Sequence, residues 1–131
     1  MSDQQAHRDD STTLLELRNV VGQFVKERDW NQFHSPKNLS MALAIEVAEL
    51  MEHFQWISID ESRQVTANSE KLTAIAEEIA DVFCYTLALV NELNLDLSAA
   101  LSKKMDRNRA KYPVKDFRGR FGHDDPNAVS N

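Results

Sequence analysis

The sequence lacks the residues on which disulfide-rich, membrane-spanning and many-stranded proteins depend. Cys84 is the one cysteine, which excludes an intramolecular disulfide and a zinc site built from several cysteines. Three glycines and three prolines are too few turn-forming residues for a sandwich or barrel of many short strands. No hydrophobic run approaches the length of a membrane span, and the polar first residues carry no hydrophobic signal core. The 131 residues therefore predict one mostly helical, cytoplasmic domain without membrane association.

The net charge of −6 is distributed unevenly along the chain. Residues 1–102 have a net charge of −10, residues 103–120 one of +6, and residues 121–131 one of −2. The basic segment supports one non-enzymatic alternative, a helical interaction module that binds nucleic acid through its basic end. The acidity of the rest of the chain argues against this alternative, and we expect no stable nucleic-acid partner.

Hydrophobic periodicity and capping residues predict four helices and an all-α fold. Ser35 is the predicted N-cap of the second helix, with Pro36 in its first turn. Ser98 is the predicted N-cap of the fourth helix, which ends before Pro113. The helices are expected at about 14–28, 37–55, 70–93 and 98–112. A loop at 29–36 that contains several aromatic residues separates the first two helices, and an irregular stretch lies at 57–69.

The ends of the chain are predicted to lie outside the folded domain. Residues 1–11 are polar and are expected to be a disordered N-terminus. Residues 12–113 contain the helical periodicity and form one domain. Residues 114–131 contain two glycines, a proline and scattered charges, which is typical of a flexible tail.

Two predicted helices each carry a pair of acidic residues on or near an apolar face. Glu46 and Glu49 lie three residues apart on the second helix and so point to one side. Glu78 replaces an apolar residue in the stripe of the third helix, and Asp81 follows three residues later. Burying an unpaired carboxylate costs free energy or leads to its protonation, and four carboxylates close together also repel one another. A hard divalent cation resolves both the burial cost and the repulsion.

Two alternatives compete with a site for a hard divalent cation such as Mg²⁺. Each acidic pair could lie on a solvated flank of its helix, although paired acids beside core positions on two helices favour a metal. A ferritin-like di-iron site needs Glu-x-x-His on two helices. Leu50, not a glutamate, stands three residues before His53, and the third helix contains no histidine.

The pattern Glu46-x-x-Glu49 followed by Glu78-x-x-Asp81 resembles the signature of the all-α MazG-like nucleoside triphosphate pyrophosphohydrolases. The similarity extends from about Leu14 to Pro113. Several further stretches resemble the dCTP pyrophosphatase branch of this family, namely Glu27–Trp30, Gln32–His34, Asn38–Leu39, Phe54–Trp56, Lys104–Asp106 and Asn108–Pro113.

The resemblance implies a four-helix bundle that assembles into a homodimer or homotetramer. It implies hydrolysis of a deoxynucleoside triphosphate, dCTP or a 5-modified dCTP, to the monophosphate and pyrophosphate. A house-cleaning enzyme for other non-canonical nucleotides with the same fold is the enzymatic alternative. Glu46, Glu49, Glu78 and Asp81 would be the catalytic Mg²⁺ ligands.

The resemblance also implies a set of substrate-binding residues. Aromatic side chains would hold the base, because a flat ring needs a stacking surface and a few polar edges. Lys104 and Asn108 lie four residues apart on the fourth helix and would meet phosphate oxygens. The full set is Trp30, His34, Asn38, Trp56, Tyr85, Lys104 and Asn108.

Overall fold

The computed structural model describes residues 7–120, and within that range the protein contains helices and turns but no strand. This confirms the predicted all-α class. Two 3₁₀ turns, at Trp30–Gln32 and Val65–Ala67, occur between the helices. The α-helices are α1 (Leu14–Glu27), α2 (Pro36–Glu52), α3 (Ile59–Arg63), α4 (Ser69–Glu92), α5 (Leu97–Lys111) and α6 (Val114–Phe117).

Side-chain caps determine where the longer helices begin. The Thr13 hydroxyl accepts from the backbone N–H of Glu16, whose carboxylate accepts from the backbone N–H of Thr13. Ser35 caps α2 as predicted, because its hydroxyl accepts from the backbone N–H of Asn38 and Pro36 occupies the first helical position. These local bonds satisfy N–H groups that have no partner within the helix.

Helix α2 ends at Glu52, three residues before the predicted end at about Gln55. The backbone N–H of His53 bonds to the carbonyl of Leu50, and that of Phe54 bonds to the carbonyl of Met51. These bonds reach back three residues rather than four and so tighten the last turn. Phe54 is half-buried, which extends the apolar pattern beyond the helix itself.

The prediction that Ser98 caps the fourth long helix is wrong. Asp96 is the N-cap of α5, because its carboxylate accepts from the backbone N–H of Ala99 at 2.9 Å. Ser98 therefore lies inside the first turn of the helix. Both residues are good caps, and Asp96 has the extended backbone that this position requires.

Short ordered segments occur in both regions that were predicted to lie outside the domain. Before α1, the backbone N–H groups of Ser11 and Thr12 bond to the carbonyl of Arg8. At the other end, Pro113 precedes the four-residue helix α6. Residues 1–6 of the predicted disordered terminus and residues 121–131 of the predicted tail lie outside the described range.

The chain divides into two compact units, one ending at Leu95 and one beginning at Asp96. In the first unit α4 packs against both α1 and α2. Asn91 joins α4 to α1, since its Oδ1 accepts from Arg18 Nε and its Nδ2 donates to the Arg18 carbonyl, both at 3.0 Å. Six apolar residues of the described range are buried, and four of them are on α4. The α4 residues are Ile75, Leu87, Ala88 and Val90, and the other two are Val25 on α1 and Leu39 on α2.

The second unit contains α5 and α6. The rings of Tyr112 and Phe117 meet edge to face with centroids 5.1 Å apart. The guanidinium of Arg120 lies 5.6 Å from the centre of the Phe117 ring. The contact between Tyr112 and Phe117 holds α6 against the end of α5.

Large apolar side chains remain exposed on both long helices of the first unit. On α4 the exposed residues Leu72, Ile79 and Phe83 recur at helical spacing along one face. On α2 the exposed Met41 and Ile45 lie four residues apart. Among the helices of residues 7–120, none combines the length and the hydrophobicity that a membrane crossing requires.

Candidate active site

Three carboxylates meet where α2 packs against α4. Glu46 and Glu49 from α2 and Glu78 from α4 each offer an oxygen, and these oxygens all lie within 4.8 Å of one another. The three-residue spacing on α2 brings the first two side chains to the same side, facing α4. We call these three residues the carboxylate cluster.

The carboxylate cluster lacks the partners that its negative charges need. Glu46 and Glu78 are half-buried, and the Oε2 atom of each is buried with no hydrogen-bond partner among residues 7–120. Burial, followed by the hydrogen bond and charge of Glu49, raises the pKa of Glu46. Burial, followed by the charges of Glu49 and Asp81, raises the pKa of Glu78, while the charge of His53 lowers it. Oxygen ligands with unbalanced charge suit a hard divalent cation, so the cluster could bind a metal.

Asp81, the fourth predicted ligand, lies outside the carboxylate cluster. It is exposed on α4, one turn after Glu78. Its negative charge nevertheless contributes to the raised pKa of both Glu46 and Glu78, which places it near the cluster. Metal binding by Asp81 stays a prediction.

The predicted base-binding residues Trp30 and His34 lie together between α1 and α2. Their ring centroids are 6.3 Å apart, with the planes tilted by 43°. Phe24 meets Trp30 edge to face at 5.6 Å, and the Arg28 guanidinium lies 3.7 Å from the centre of the Phe24 ring. The result is a continuous row of rings on this side of the first unit.

Asn38 bonds to the loop that carries these rings. Its Nδ2 donates to the carbonyl of Phe33 at 3.0 Å, and its backbone N–H donates to Ser35 Oγ at 3.1 Å. The predicted contact between Asn38 and a substrate stays a prediction, whereas its bond to the loop is a feature of the fold.

Trp56 and Tyr85 differ sharply in exposure. The Trp56 side chain is 88% exposed just after α2, which makes it the most exposed large apolar residue described. Tyr85 is half-buried on α4, one turn after Asp81. Burial, followed by the charge of Glu46, raises the pKa of the Tyr85 hydroxyl, so this ring lies near the carboxylate cluster.

Two residues near the site were not singled out from the sequence. His53 affects the pKa of Glu78, and its position four residues after Glu49 puts it on the same side of the helix, but the sequence suggested no role for it at the site. Phe24 is an apolar residue of α1 that is 43% exposed and packs on Trp30. Its place beside the loop depends on how the chain turns after α1.

Lys104 and Asn108 lie one turn apart on α5, in the C-terminal unit. Lys104 is exposed, and Asn108 is half-buried with its Nδ2 3.9 Å from Met105 Sδ. Their assignment to phosphate binding stays a prediction.

Comparisons with known proteins agree with the geometry. Residues 41–120 match the MazG-like family. The chain is 44% identical over 107 residues to a dCTP pyrophosphatase 1 from Rattus norvegicus, and 43% identical over 102 residues to that from Homo sapiens. These alignments cover 82% and 78% of this chain but only 63% and 60% of the relatives.

A solved structure adds a similarity in three dimensions. A pyrophosphatase from Archaeoglobus fulgidus is 38% identical and matches with a TM-score of 0.71, over 82% of this chain and 96% of that one. The family match covers more than half of the sequence, including all three residues of the carboxylate cluster. The chain therefore belongs to the MazG-like family.

Proposed function

We propose that the protein is a Mg²⁺-dependent pyrophosphohydrolase that converts a deoxynucleoside triphosphate to its monophosphate and pyrophosphate. The substrate is dCTP or a 5-modified dCTP, and the role is to clear such nucleotides from the cytoplasmic pool. The observation that carries the proposal is the carboxylate cluster, in which two buried oxygens have no hydrogen-bond partner within the described part of the chain. The names of the curated relatives and of the archaeal pyrophosphatase support the reaction.

The carboxylates and the rings have separate roles in this proposal. Glu46, Glu49, Glu78 and Asp81 would hold the ion, which when bound neutralises phosphate charge, orients the triphosphate and lowers the pKa of an attacking water. Trp30 and His34 offer the faces of two neighbouring rings to the pyrimidine. The exposed indole of Trp56 offers a further ring face. Tyr85 extends the aromatic lining toward the carboxylates.

The functional form would be a homodimer or homotetramer. The exposed apolar faces of α2 and α4 support this proposal, because apolar surface in contact with water is unfavourable and stripes at helical spacing suit another helix. The charged residues that would hold the ion lie at the contact between these same two helices. Association would therefore stabilise the elements that carry the site.

A panel of nucleotides tests the reaction and the substrate together. dCTP, 5-methyl-dCTP, dUTP and purine triphosphates are incubated with the protein, with Mg²⁺ or with a chelator, and the products are separated. We expect pyrophosphate and a monophosphate, in the presence of Mg²⁺ only, with the highest kcat/KM for dCTP or 5-methyl-dCTP. Release of orthophosphate and a diphosphate, or turnover in the chelator, would contradict the proposal.

Neutral substitutions test the metal ligands. Glu49→Gln and Asp81→Asn should each reduce turnover by about 100-fold or more, because a misplaced phosphate loses the geometry that the reaction needs. Glu77→Gln is the matched control, since Glu77 is exposed on α4 beside Glu78 but is not part of the carboxylate cluster. Calorimetric titration with Mg²⁺ measures binding directly. Unchanged turnover and Mg²⁺ affinity in Glu49→Gln would refute the assignment.

A further inference from the structure

Two side-chain amides close the loop between α1 and α2, residues 28–35, which we call the aromatic loop. At its start, Gln32 Nε2 donates to both the carbonyl and the carboxylate of Asp29, at 3.0 and 3.1 Å. At its end, Asn38 Nδ2 donates to the carbonyl of Phe33 at 3.0 Å. All three bonds are exposed to solvent; Gln32 belongs to the 3₁₀ turn at Trp30–Gln32, and Asn38 lies in the first turn of α2.

The two hydrogen bonds from Gln32 hold the backbone of Asp29 in an unfavourable conformation. Asp29 has a φ of 53° and a ψ of 36°, the left-handed region that costs free energy for a residue with a Cβ atom. The Gln32 amide bonds to two acceptors of this one residue. It therefore stabilises the conformation that turns the chain from α1 into the aromatic loop.

The two rings lie next to the positions that these bonds fix: Trp30 directly follows Asp29, and His34 directly follows Phe33. The backbone N–H groups of Phe33 and His34 bond to the carbonyl of Trp30, at 2.9 and 3.1 Å. The distance of 6.3 Å between the Trp30 and His34 ring centroids thus depends on a segment fixed at Asp29 and at Phe33.

We propose that Gln32 and Asn38 are positioning residues that set the Trp30 and His34 rings for contact with a nucleobase. The inference rests on the proposed function for the identity of the ligand. In this assignment Asn38 acts through the Phe33 carbonyl and the aromatic loop rather than on the substrate itself. Loss of either amide lets the aromatic loop open, so the rings lose their fixed spacing while the carboxylate cluster is unchanged.

Two substitutions remove the amide donors without removing much else. Asn38→Asp has nearly the same shape, and its carboxylate lies in the first turn of α2, where the helix dipole favours negative charge. The helix should therefore keep its stability although the bond to Phe33 is lost. Gln32→Met keeps the length of the side chain and removes its donor. Asn31→Ala is the matched control, since Asn31 lies in the same loop and its side chain makes no hydrogen bond within residues 7–120.

The position of the Trp30 ring is measured without any substrate. The sequence contains two tryptophans, so a Trp56→Phe background leaves Trp30 as the one fluorophore of this kind. We expect a red shift of Trp30 emission in Asn38→Asp and Gln32→Met, because the ring becomes more exposed, and none in Asn31→Ala. Emission that is unchanged in both variants would overturn the inference, whether or not the protein hydrolyses dCTP.

Steady-state kinetics with Mg²⁺ and dCTP test the consequence for the ligand, in chains that retain Trp56. We expect KM to rise about tenfold in Asn38→Asp and Gln32→Met with kcat nearly unchanged, the effect of losing one hydrogen bond. A KM equal to that of Asn31→Ala would overturn the positioning role even if the emission shifts. If the unaltered chain releases no pyrophosphate from dCTP, the proposed function fails and the nucleobase role fails with it, while Trp30 emission still decides how the loop is held.

Discussion

Glu78 occupies a position on α4 that an apolar residue would fill in an ordinary pair of packed helices. Ile75, one turn earlier, is buried, and Val82, one turn later, is half-buried. Burial and the charges of Glu49 and Asp81 raise the pKa of Glu78, which means that they disfavour its ionised form. A protein without a bound cation therefore contains a local concentration of negative charge that opposes folding.

The substitution Glu78→Gln should raise the midpoint of thermal unfolding in the presence of a chelator, because it removes one of the mutually repelling charges. The same variant should lose the increase in midpoint that Mg²⁺ produces in the unaltered chain. Differential scanning calorimetry with a chelator and with Mg²⁺ measures both effects. Glu77→Gln should change neither, and a lower midpoint of Glu78→Gln in the chelator would show that charge repulsion is not the dominant effect.

The spacing of residues in the sequence predicted that the carboxylates would meet, but it could not predict the hydrogen bond that Asn38 makes to the loop. Glu46 and Glu49 must share a side of a helix at a spacing of three, so their meeting with Glu78 follows once α2 and α4 pack together. The bond from Asn38 to the Phe33 carbonyl depends on the path of an irregular loop. No periodicity encodes that path, and for this reason the sequence suggested only a substrate contact for Asn38.

Helices α1 to α5 each begin at a residue whose side chain caps the helix, and these caps explain which helix boundaries the sequence could predict. Ser35 followed by Pro36 indicates the start of a helix and nothing else, and α2 begins at Pro36 as this pair predicts. Asp96 and Ser98 are both good caps, and local preference does not choose between them. The end of α2 was predicted three residues too late, because the half-buried Phe54 continues the apolar pattern although the helix has already ended at Glu52.

The capping box of α1 makes its stability depend on pH. The Glu16 carboxylate accepts hydrogen bonds from the backbone N–H and from the hydroxyl of Thr13. Both bonds lower the pKa of Glu16, and the bond from the backbone N–H has the larger effect. Because the folded-state pKa is lowered, this contribution is present above the unfolded value of about 4.3 and is lost as the pH falls through the lower folded value. Glu16→Gln keeps a hydrogen-bonding side chain but no longer titrates.

We therefore expect the unaltered chain to lose more stability than Glu16→Gln when the pH falls from about 6 to about 3. Urea unfolding followed by circular dichroism at both pH values gives the two free energies of unfolding. Thr13→Ala, which removes the cap itself, should cost about 1 kcal/mol at neutral pH. Equal pH dependence of the unaltered chain and Glu16→Gln would contradict the role of this carboxylate.

For the molecule as a whole, the charge asymmetry has a simple interpretation under the proposed function. If Glu46, Glu49, Glu78 and Asp81 bind a cation, the remaining side chains have a net charge of −2. Much of the acidity then belongs to one site rather than to the surface in general. The sequence indicated that apolar residues of α4, such as Leu87, Val90 and Leu93, extend beyond one face, but Leu87 and Val90 are buried. Which apolar residues stay exposed depends on how the helices pack.

The exposed face of α4 predicts association between copies of the chain. We expect the unaltered protein to have at least twice the chain mass of 15.0 kDa, as measured by light scattering after size exclusion. Ile79→Glu should shift it toward the single-chain mass, because an unpaired buried carboxylate costs several kcal/mol. Ile59→Glu on α3 is the matched control at a residue that is 72% exposed. A single-chain mass for the unaltered protein would contradict the prediction.

The paired hydrogen bonds between Arg18 and Asn91 have a consequence for how the protein is made. They join residues separated by 73 positions, and most of the buried residues on α4 lie within the last turns before Asn91. On a ribosome, α1 emerges long before the segment that secures it has been synthesised. The apolar side chains of α1 therefore stay without their partners on α4 until α4 has been synthesised, although α1 precedes both α2 and α4 in the chain.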